Sequence, residues 1–293
     1  MKKKNIWITI IIVILVAIGG GLGYYFTQSK TNEQTKTGNK VEQVSVKKKK
    51  KKVVQKKSEI NIVAVGDSLT QGVGDSLTQG VGDSKSVGGG YVTRLKQDVA
   101  KKYKVKTNAY NYGVSGDTSN QIMTRIQNDD KMHKDLPKAD IITVTVGGND
   151  FMHLLKRKGL DLTESDITTE QGQFDERLKQ LLSDIRSYNK DAPIYLIGIY
   201  NPFSIYLSNV KYAKTAFINW NKASAQVAEG YNDTYFININ DLYQPSDKVL
   251  KEKGTNPYLY TGDHFHPNGK GYDMMTEQVF DEVSKTTKEW LIK

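Results

Sequence analysis

No cysteine occurs in the 293 residues. Disulfides, thiolate metal sites and a cysteine nucleophile are therefore excluded, and any nucleophile must carry oxygen or nitrogen. The absence suits an exported bacterial protein that folds without oxidation. Acidic residues are also nearly missing from the first 58 positions, where Glu33 and Glu42 stand against 14 lysines. Residues 59–293 hold 28 basic and 30 acidic side chains, a net of −2, so the formal charge of +10 belongs to the tail. Nucleic-acid binding needs a basic face on the folded part, and the sequence pI near 9.3 does not supply one, so no nucleic-acid partner is expected. One α/β domain plus a tail accounts for the length.

Long apolar runs are lacking except for one. Residues 6–26, IWITIIIVILVAIGGGLGYYF, follow Lys2, Lys3 and Lys4 and are long enough as a helix to cross roughly 30 Å of hydrocarbon. Two readings stand: a transmembrane signal anchor, or a signal peptide cleaved near Gly19 to Gly23. Both export the remainder. Lys30, Lys36 and Lys40 beyond the span weaken the charge contrast that would set its orientation. The expected layout is a cytoplasmic N-terminus at 1–5, the span at 6–26, a polar linker at 27–58 and a globular domain at 59–293. The chain would be held at the cell membrane with that domain outside, or secreted if cleaved. The linker cannot bury enough apolar surface to order itself. Its block Lys47 to Lys52 reads either as a self-repelling spacer or as an attachment to anionic lipid or anionic wall polymer.

From Ile60 onward, short apolar runs alternate with amphipathic stretches, the pattern of βα units around a mainly parallel sheet. Strands are expected at Ile60 to Val65, Val105 to Asn111, Ile141 to Val146, Ile194 to Ile199 and Tyr235 to Ile239. Phe174, Leu178, Leu181, Leu182, Ile185 and Tyr188 recur at helical spacing and predict a helix whose apolar stripe is core. A last helix is expected from Asn268 to about Leu291. The octapeptide GDSLTQGV occurs at Gly66 to Val73 and again at Gly74 to Val81, with a third start at Gly82. A period of eight is too short for a solenoid, which needs roughly 20 residues or more, and points to a tandem duplication.

Four segments carry chemistry. The strand INIVAV runs into Gly66-Asp67-Ser68-Leu69-Thr70, which sets Ser68 at the carboxyl edge where open α/β sheets bind ligands; the same three letters GDS also make an ordinary turn. In Asp263-His264-Phe265-His266-Pro267-Asn268 an acid precedes a histidine by three. Such a loop lets the carboxylate hold one ring nitrogen while the other takes a proton from a hydroxyl too weakly nucleophilic by itself. Two other readings fit that segment: a metal set of Asp263, His264 and His266, for which no further histidine or cysteine lies nearby in sequence, or a helix-capping loop with an incidental histidine. Gly113-Val114-Ser115-Gly116-Asp117-Thr118 and Gly147-Gly148-Asn149-Asp150 follow strand candidates and offer N–H donors to a developing oxyanion.

Taken in order, GDSLT, SGDTS, GGND and DHFH resemble the four blocks of the GDSL, or SGNH, hydrolase family over about residues 60–290, and the tail and layout resemble exported lipase/acylhydrolase proteins of Gram-positive bacteria. The resemblance implies a three-layer α/β/α fold like flavodoxin around a five-stranded sheet. It implies Ser68 as nucleophile, Asp263 and His266 completing the triad, and Gly116 and Asn149 joining the Ser68 N–H in the oxyanion hole. It implies esterase, lipase or acyl-transfer chemistry without metal or other cofactor, on an ester of a lipid or an acylated sugar. The duplication makes Ser76 an alternative nucleophile. Using Ser68 keeps the strand continuous and pushes eight extra residues into the following loop, which costs only a few tenths of a kcal/mol. Using Ser76 either buries Asp67, Ser68, Thr70 and Gln71 in a strand, at roughly 1–3 kcal/mol each, or parts the strand from its turn. Ser68 is therefore favoured, although Ser76 leaves the spacing to GGGYV unchanged. Other possibilities are a surface-anchored binding protein for wall polymer or anionic lipid with little catalysis, and an enzyme impaired by the duplication. Tyr200-Asn201-Pro202-Phe203 and a polar loop from Lys156 to Gln173 are candidate pocket walls or mere surface.

Overall fold

A computed structural model describes residues 55–75, 89–202, 213–246, 248–249, 252 and 254–292. The expected span 6–26, the block Lys47 to Lys52, Ser76 and Phe203 lie outside these residues. Among the described residues no helix is long and apolar enough to cross a membrane.

Five strands are present: β1 (Glu59–Gly66), β2 (Lys106–Gly113), β3 (Ile141–Thr145), β4 (Ile194–Ile197) and β5 (Thr234–Ile237). They form one parallel sheet in the order β2-β1-β3-β4-β5, the doubly wound order of flavodoxin-like folds. Each lies within a few residues of its expected position. Both faces are covered, so the apolar runs are continuous rather than alternating. In β1, Ile60, Ile62 and Ala64 enter one core while Val63 and Val65 enter the other.

The helices are α1 (Ser68–Gln71), α2 (Gly90–Tyr103), α3 (Ser119–Asn128), α4 (Asp130–Asp135), α5 (Gly148–Lys158), α6 (Glu164–Tyr188), α7 (Ala213–Glu229), α8 (Gly269–Lys285) and α9 (Thr287–Trp290). Phe174, Leu178, Leu181, Leu182 and Ile185 of α6 are buried in the layer shared with α3, α5 and α7. Val92, Leu95 and Val99 of α2 and Tyr272, Met275, Val279 and Val283 of α8 build the opposite layer. The result is the expected three-layer α/β/α arrangement.

Three expectations need correction. Residues 156–173 are not a polar loop: Lys156 to Lys158 end α5, and Glu164 opens α6 behind a Thr163–Asp166 capping box. The polar side chains there occupy the solvent face of helices, a face that periodicity reads poorly when the apolar stripe is thin. The last helix also breaks at Thr286, so that Trp290 can reach the core and donate from Nε1 to the Val283 carbonyl at 2.9 Å. Finally, the folded unit includes Lys56 and Lys57, which the expected layout places in the linker 27–58. Lys56 bridges Ile292, and the Lys57 N–H donates to the Leu291 carbonyl at 2.8 Å.

The register sets the site. Gly66 pairs with Gly113 on one side and Thr145 on the other, so three chain segments leave the sheet side by side. The crevice of a doubly wound sheet, at the point where the strand order reverses, lies there.

Candidate active site

Ser68 is the first residue of α1, directly beyond the end of β1, and is 5% exposed. The preceding Asp67 caps this helix, its Oδ1 accepting from the Leu69 N–H at 3.0 Å and from the Thr145 hydroxyl at 2.7 Å. First-turn amides have no acceptor within their helix, which leaves the Ser68 N–H available beside its own hydroxyl. Burial pushes the Asp67 carboxyl up, and the hydrogen bonds from Thr145 and Leu69 offset only part of that shift. Beneath the turn, Thr70 Oγ1 is 2.8 Å from Thr145 Oγ1 and 3.1 Å from the Tyr91 hydroxyl, which is 2.9 Å from Thr143 Oγ1. Burial pushes the Tyr91 phenol up to about 12, so it stays a neutral hydrogen-bonding group.

Two glycine turns flank Ser68. Gly116 has φ +88° with open space where a Cβ would project. Gly147, φ +104°, caps α5 and admits Phe174 and Trp220, which a Cβ would meet at 2.9–3.2 Å. Asn149 in the first turn of α5 donates one amide N–H to the Asp117 carbonyl at 2.9 Å, leaving the second. Asp150 accepts from the Ser119 N–H at 2.9 Å and the Ser119 hydroxyl at 2.6 Å, and Arg177 reaches both residues. The two donor loops are thus fastened to each other.

The fourth segment is a tight loop between Tyr260 and Asn268. The N–H of His264 donates to the Tyr260 carbonyl and the N–H of Tyr260 to the His266 carbonyl. His264 takes the left-handed conformation, φ +53°. Asn268 caps α8 and donates to the Pro257 and Leu259 carbonyls at 3.0 Å each. Asp263 Oδ2 lies 2.7 Å from His266 Nδ1, while Oδ1 accepts from the N–H groups of Phe265 and His266 at 2.9 and 3.0 Å. Burial pushes the Asp263 carboxyl up, but these hydrogen bonds outweigh it and hold the group below the usual carboxylate range. Among the described residues no three acid or histidine side chains converge as a metal requires.

Contacts join this loop to the Ser68 segment. Gly74, φ +90°, lies where a Cβ would come within 2.9 Å of the His266 Cβ and 2.5 Å of the Pro267 carbonyl oxygen. Tyr272 donates to the Val73 carbonyl at 2.8 Å and Tyr200 to the Phe265 carbonyl at 2.6 Å. One small cavity, about 30 Å³, is lined by Ser68, Asn149, Leu69, Val146, Tyr200 and Phe265, among others. It brings together two of the expected site residues and Tyr200. Gly116, Asp263 and His266 are not in its wall, and neither is any residue of 156–173. Missed from the sequence were Thr145, Gly74 and Arg125, which together hold these loops.

This fold and this cluster define the three-layer hydrolase class in which a serine turn follows the first strand. The chain belongs to the GDSL-like lipase/acylhydrolase family, whose model matches residues 64–274, and is thereby a carboxylic ester hydrolase. It is 30% identical over 230 residues to the uncharacterized protein YpmR of Bacillus subtilis, covering 78% of this chain and 83% of that protein. It is 24% identical over 224 residues to the spore germination lipase LipC of Bacillus licheniformis, covering 75% and 94%. Among solved structures, the lipase Lip_vut3 from a goat rumen metagenome superposes with a TM-score of 0.62 at 24% identity, over 75% of this chain and 95% of that one. An acetyl-xylooligosaccharide esterase mutant, Axe2, from Geobacillus stearothermophilus gives 0.52 at 18%, over 76% and 94%.

Proposed function

We propose that the chain cleaves carboxylic esters outside the membrane through an acyl-enzyme on Ser68. The supporting observation is that Ser68 opens a helix at the end of β1, shares a cavity with Asn149, and is followed by Gly74 packed against His266. Ser68 Oγ attacks the carbonyl carbon while His266 Nε2 takes its proton. Asp263, bonded to Nδ1, fixes the tautomer and stabilises the imidazolium. The tetrahedral oxyanion is met by the N–H groups of Ser68 and Gly116 and the free amide N–H of Asn149. Collapse expels the alcohol, protonated by His266. Water then attacks the acyl-enzyme with His266 again as base, and the acid leaves.

The substrate is an ester of a lipid or of an acylated sugar, in line with the lipase and the acetyl-xylooligosaccharide esterase among the similar proteins. The run 6–26 anchors the chain in the cell membrane or is cleaved on export. The block Lys47 to Lys52 draws the tail to anionic lipid or wall polymer, a binding role tested by salt-sensitive retention on cell-wall fragments that is lost without residues 40–58.

Fluorophosphonate labelling with peptide mapping tests the mechanism. The label should fall on Ser68, and Ser68→Ala should abolish both labelling and turnover of nitrophenyl acetate. Labelling on Ser76 instead, or undiminished turnover by Ser68→Ala, would reject the assignment.

A further inference from the structure

Arg125, on the second turn of α3, bonds directly to two of the four motif segments and, through Asp117, reaches a third. Its Nε donates to Asp117 Oδ2 at 2.6 Å, its Nη1 to the Tyr112 carbonyl at 2.8 Å and its Nη2 to the Gly66 carbonyl at 2.9 Å. The guanidinium and the Asp117 carboxylate are only 23% and 10% exposed, so water competes weakly for these bonds. Each acceptor matters to the chemistry. Gly66 is the last residue of β1, two before Ser68, and its carbonyl also accepts from the Val114 N–H at 3.0 Å, which ties the Gly116 loop to the same atom. Tyr112 is the next-to-last residue of the strand from which that loop departs. Asp117 accepts Arg125 on its carboxylate and the Asn149 amide on its carbonyl at 2.9 Å.

We infer that Arg125 is a positioning residue that sets the spacing between the Ser68 oxygen and the oxyanion donors, acting through the Gly66 carbonyl on the nucleophile turn and through Asp117 on Gly116 and Asn149. The inference rests on the acyl-enzyme reading above. A planar fork with donors in fixed directions can serve two carbonyls and a carboxylate together; an ammonium on a flexible stem carries the same charge but cannot span all three. Because the donors must meet the oxygen of the transition state rather than the ground-state carbonyl, a loosened frame lowers kcat and leaves KM nearly unchanged.

The test compares Arg125→Lys and Arg125→Ala with the wild-type chain on nitrophenyl acetate, with kcat expressed per folded molecule and thermal melting followed in parallel. Both variants should lose roughly 10- to 100-fold in kcat, the scale for sub-ångström to ångström misplacement, with KM within about twofold. Millimolar methylguanidinium, far below denaturing levels, should restore part of the lost kcat in Arg125→Ala and none in the wild type. Wild-type kcat in Arg125→Lys, or a loss in Arg125→Ala fully accounted for by its unfolded fraction and insensitive to methylguanidinium, overturns the inference while the acyl-enzyme reading survives. A wild-type chain that neither turns over nor takes up fluorophosphonate overturns that reading, and this inference with it.

Discussion

Asp263 and His266 are three residues apart and joined twice: Oδ2 to the ring Nδ1 at 2.7 Å, and Oδ1 to the His266 backbone N–H at 3.0 Å. The second bond matters as much as the first, because it holds the carboxylate independently of the ring. One carboxylate therefore engages both the ring and the backbone of His266.

Asp263→Asn keeps the shape and removes the charge. Turnover should fall roughly 10³- to 10⁴-fold, as when the equivalent carboxylate of a triad is neutralised, with little change in KM on nitrophenyl acetate. Stability has a definite sign. The folded-state pKa lies below the usual 3.8, so the ionised carboxylate favours the fold above about pH 4 and that contribution is lost as pH falls through the lowered value. Between pH 5 and 3 the variant should lose less stability than the wild type, as measured by urea midpoints.

Asn149→Ala removes a donor whose partner in the resting protein is the Asp117 carbonyl. A loss of roughly 100- to 1000-fold in kcat is expected, because the remaining amide N–H is needed only once charge develops on the substrate oxygen. Steady-state kinetics with unchanged KM would support this; a loss confined to KM would assign Asn149 to ground-state binding instead.

Much of the fold was legible in the sequence because parallel strands buried on both faces are apolar without interruption, as in Ile60 to Val65 and Ile141 to Val146. The motif loops were legible because glycine, serine and asparagine cluster where those strands end. Strand order was not, since nothing in β2 or β3 alone says that Gly113 and Thr145 flank Gly66. Arg125 was invisible for a related reason: its three acceptors lie 8, 13 and 59 positions away in sequence, and two of them are carbonyls with no residue signature. A basic residue two turns into the helix after SGDTS was the one available signal.

The duplicated segment allows a register test independent of activity. GDSLTQGVGD is spelled twice, ending in Asp75 and in Asp83. Asp75 is fully buried, pairs with Arg94 Nη1 at 2.5 Å and accepts from the Gly90 N–H at 2.9 Å. Asp75→Ala should destabilise by roughly 3 kcal/mol, the scale for breaking a buried pair, with the Asp273 contact at 2.7 Å limiting the loss. Asp83→Ala, which leaves the Asp75–Arg94 pair intact, should change the melting temperature by about a degree or less. The opposite pattern would mean that the second copy occupies the turn and that Ser76, not Ser68, follows β1.

The cavity beside Ser68 is small, about 30 Å³, and partly open to solvent, so a short acyl group fits inside it while a longer chain has to extend past its mouth. Its wall includes Tyr200, whose hydroxyl is held by the Phe265 carbonyl at 2.6 Å. The ratio kcat/KM should be highest for nitrophenyl acetate and fall at least tenfold by the octanoate. Equal rates along the series would show that the acyl chain lies elsewhere.

Asp67 has the opposite titration from Asp263. Burial outweighs the hydrogen bonds from Thr145 and Leu69 and raises its folded-state pKa above the usual 3.8, so ionising it opposes folding. The penalty is absent below pH 3.8, grows as pH rises toward the raised value and is complete above it. Asn in its place can still accept from the Leu69 N–H and the Thr145 hydroxyl through its amide oxygen, without carrying the buried charge. Asp67→Asn should therefore be more stable than the wild type at pH 7, with the difference vanishing below pH 3.8. Urea titrations at pH 3.5, 5 and 7 measure it, and an Asn variant less stable than the wild type at pH 7 would mean that the cap depends on the ionised carboxylate.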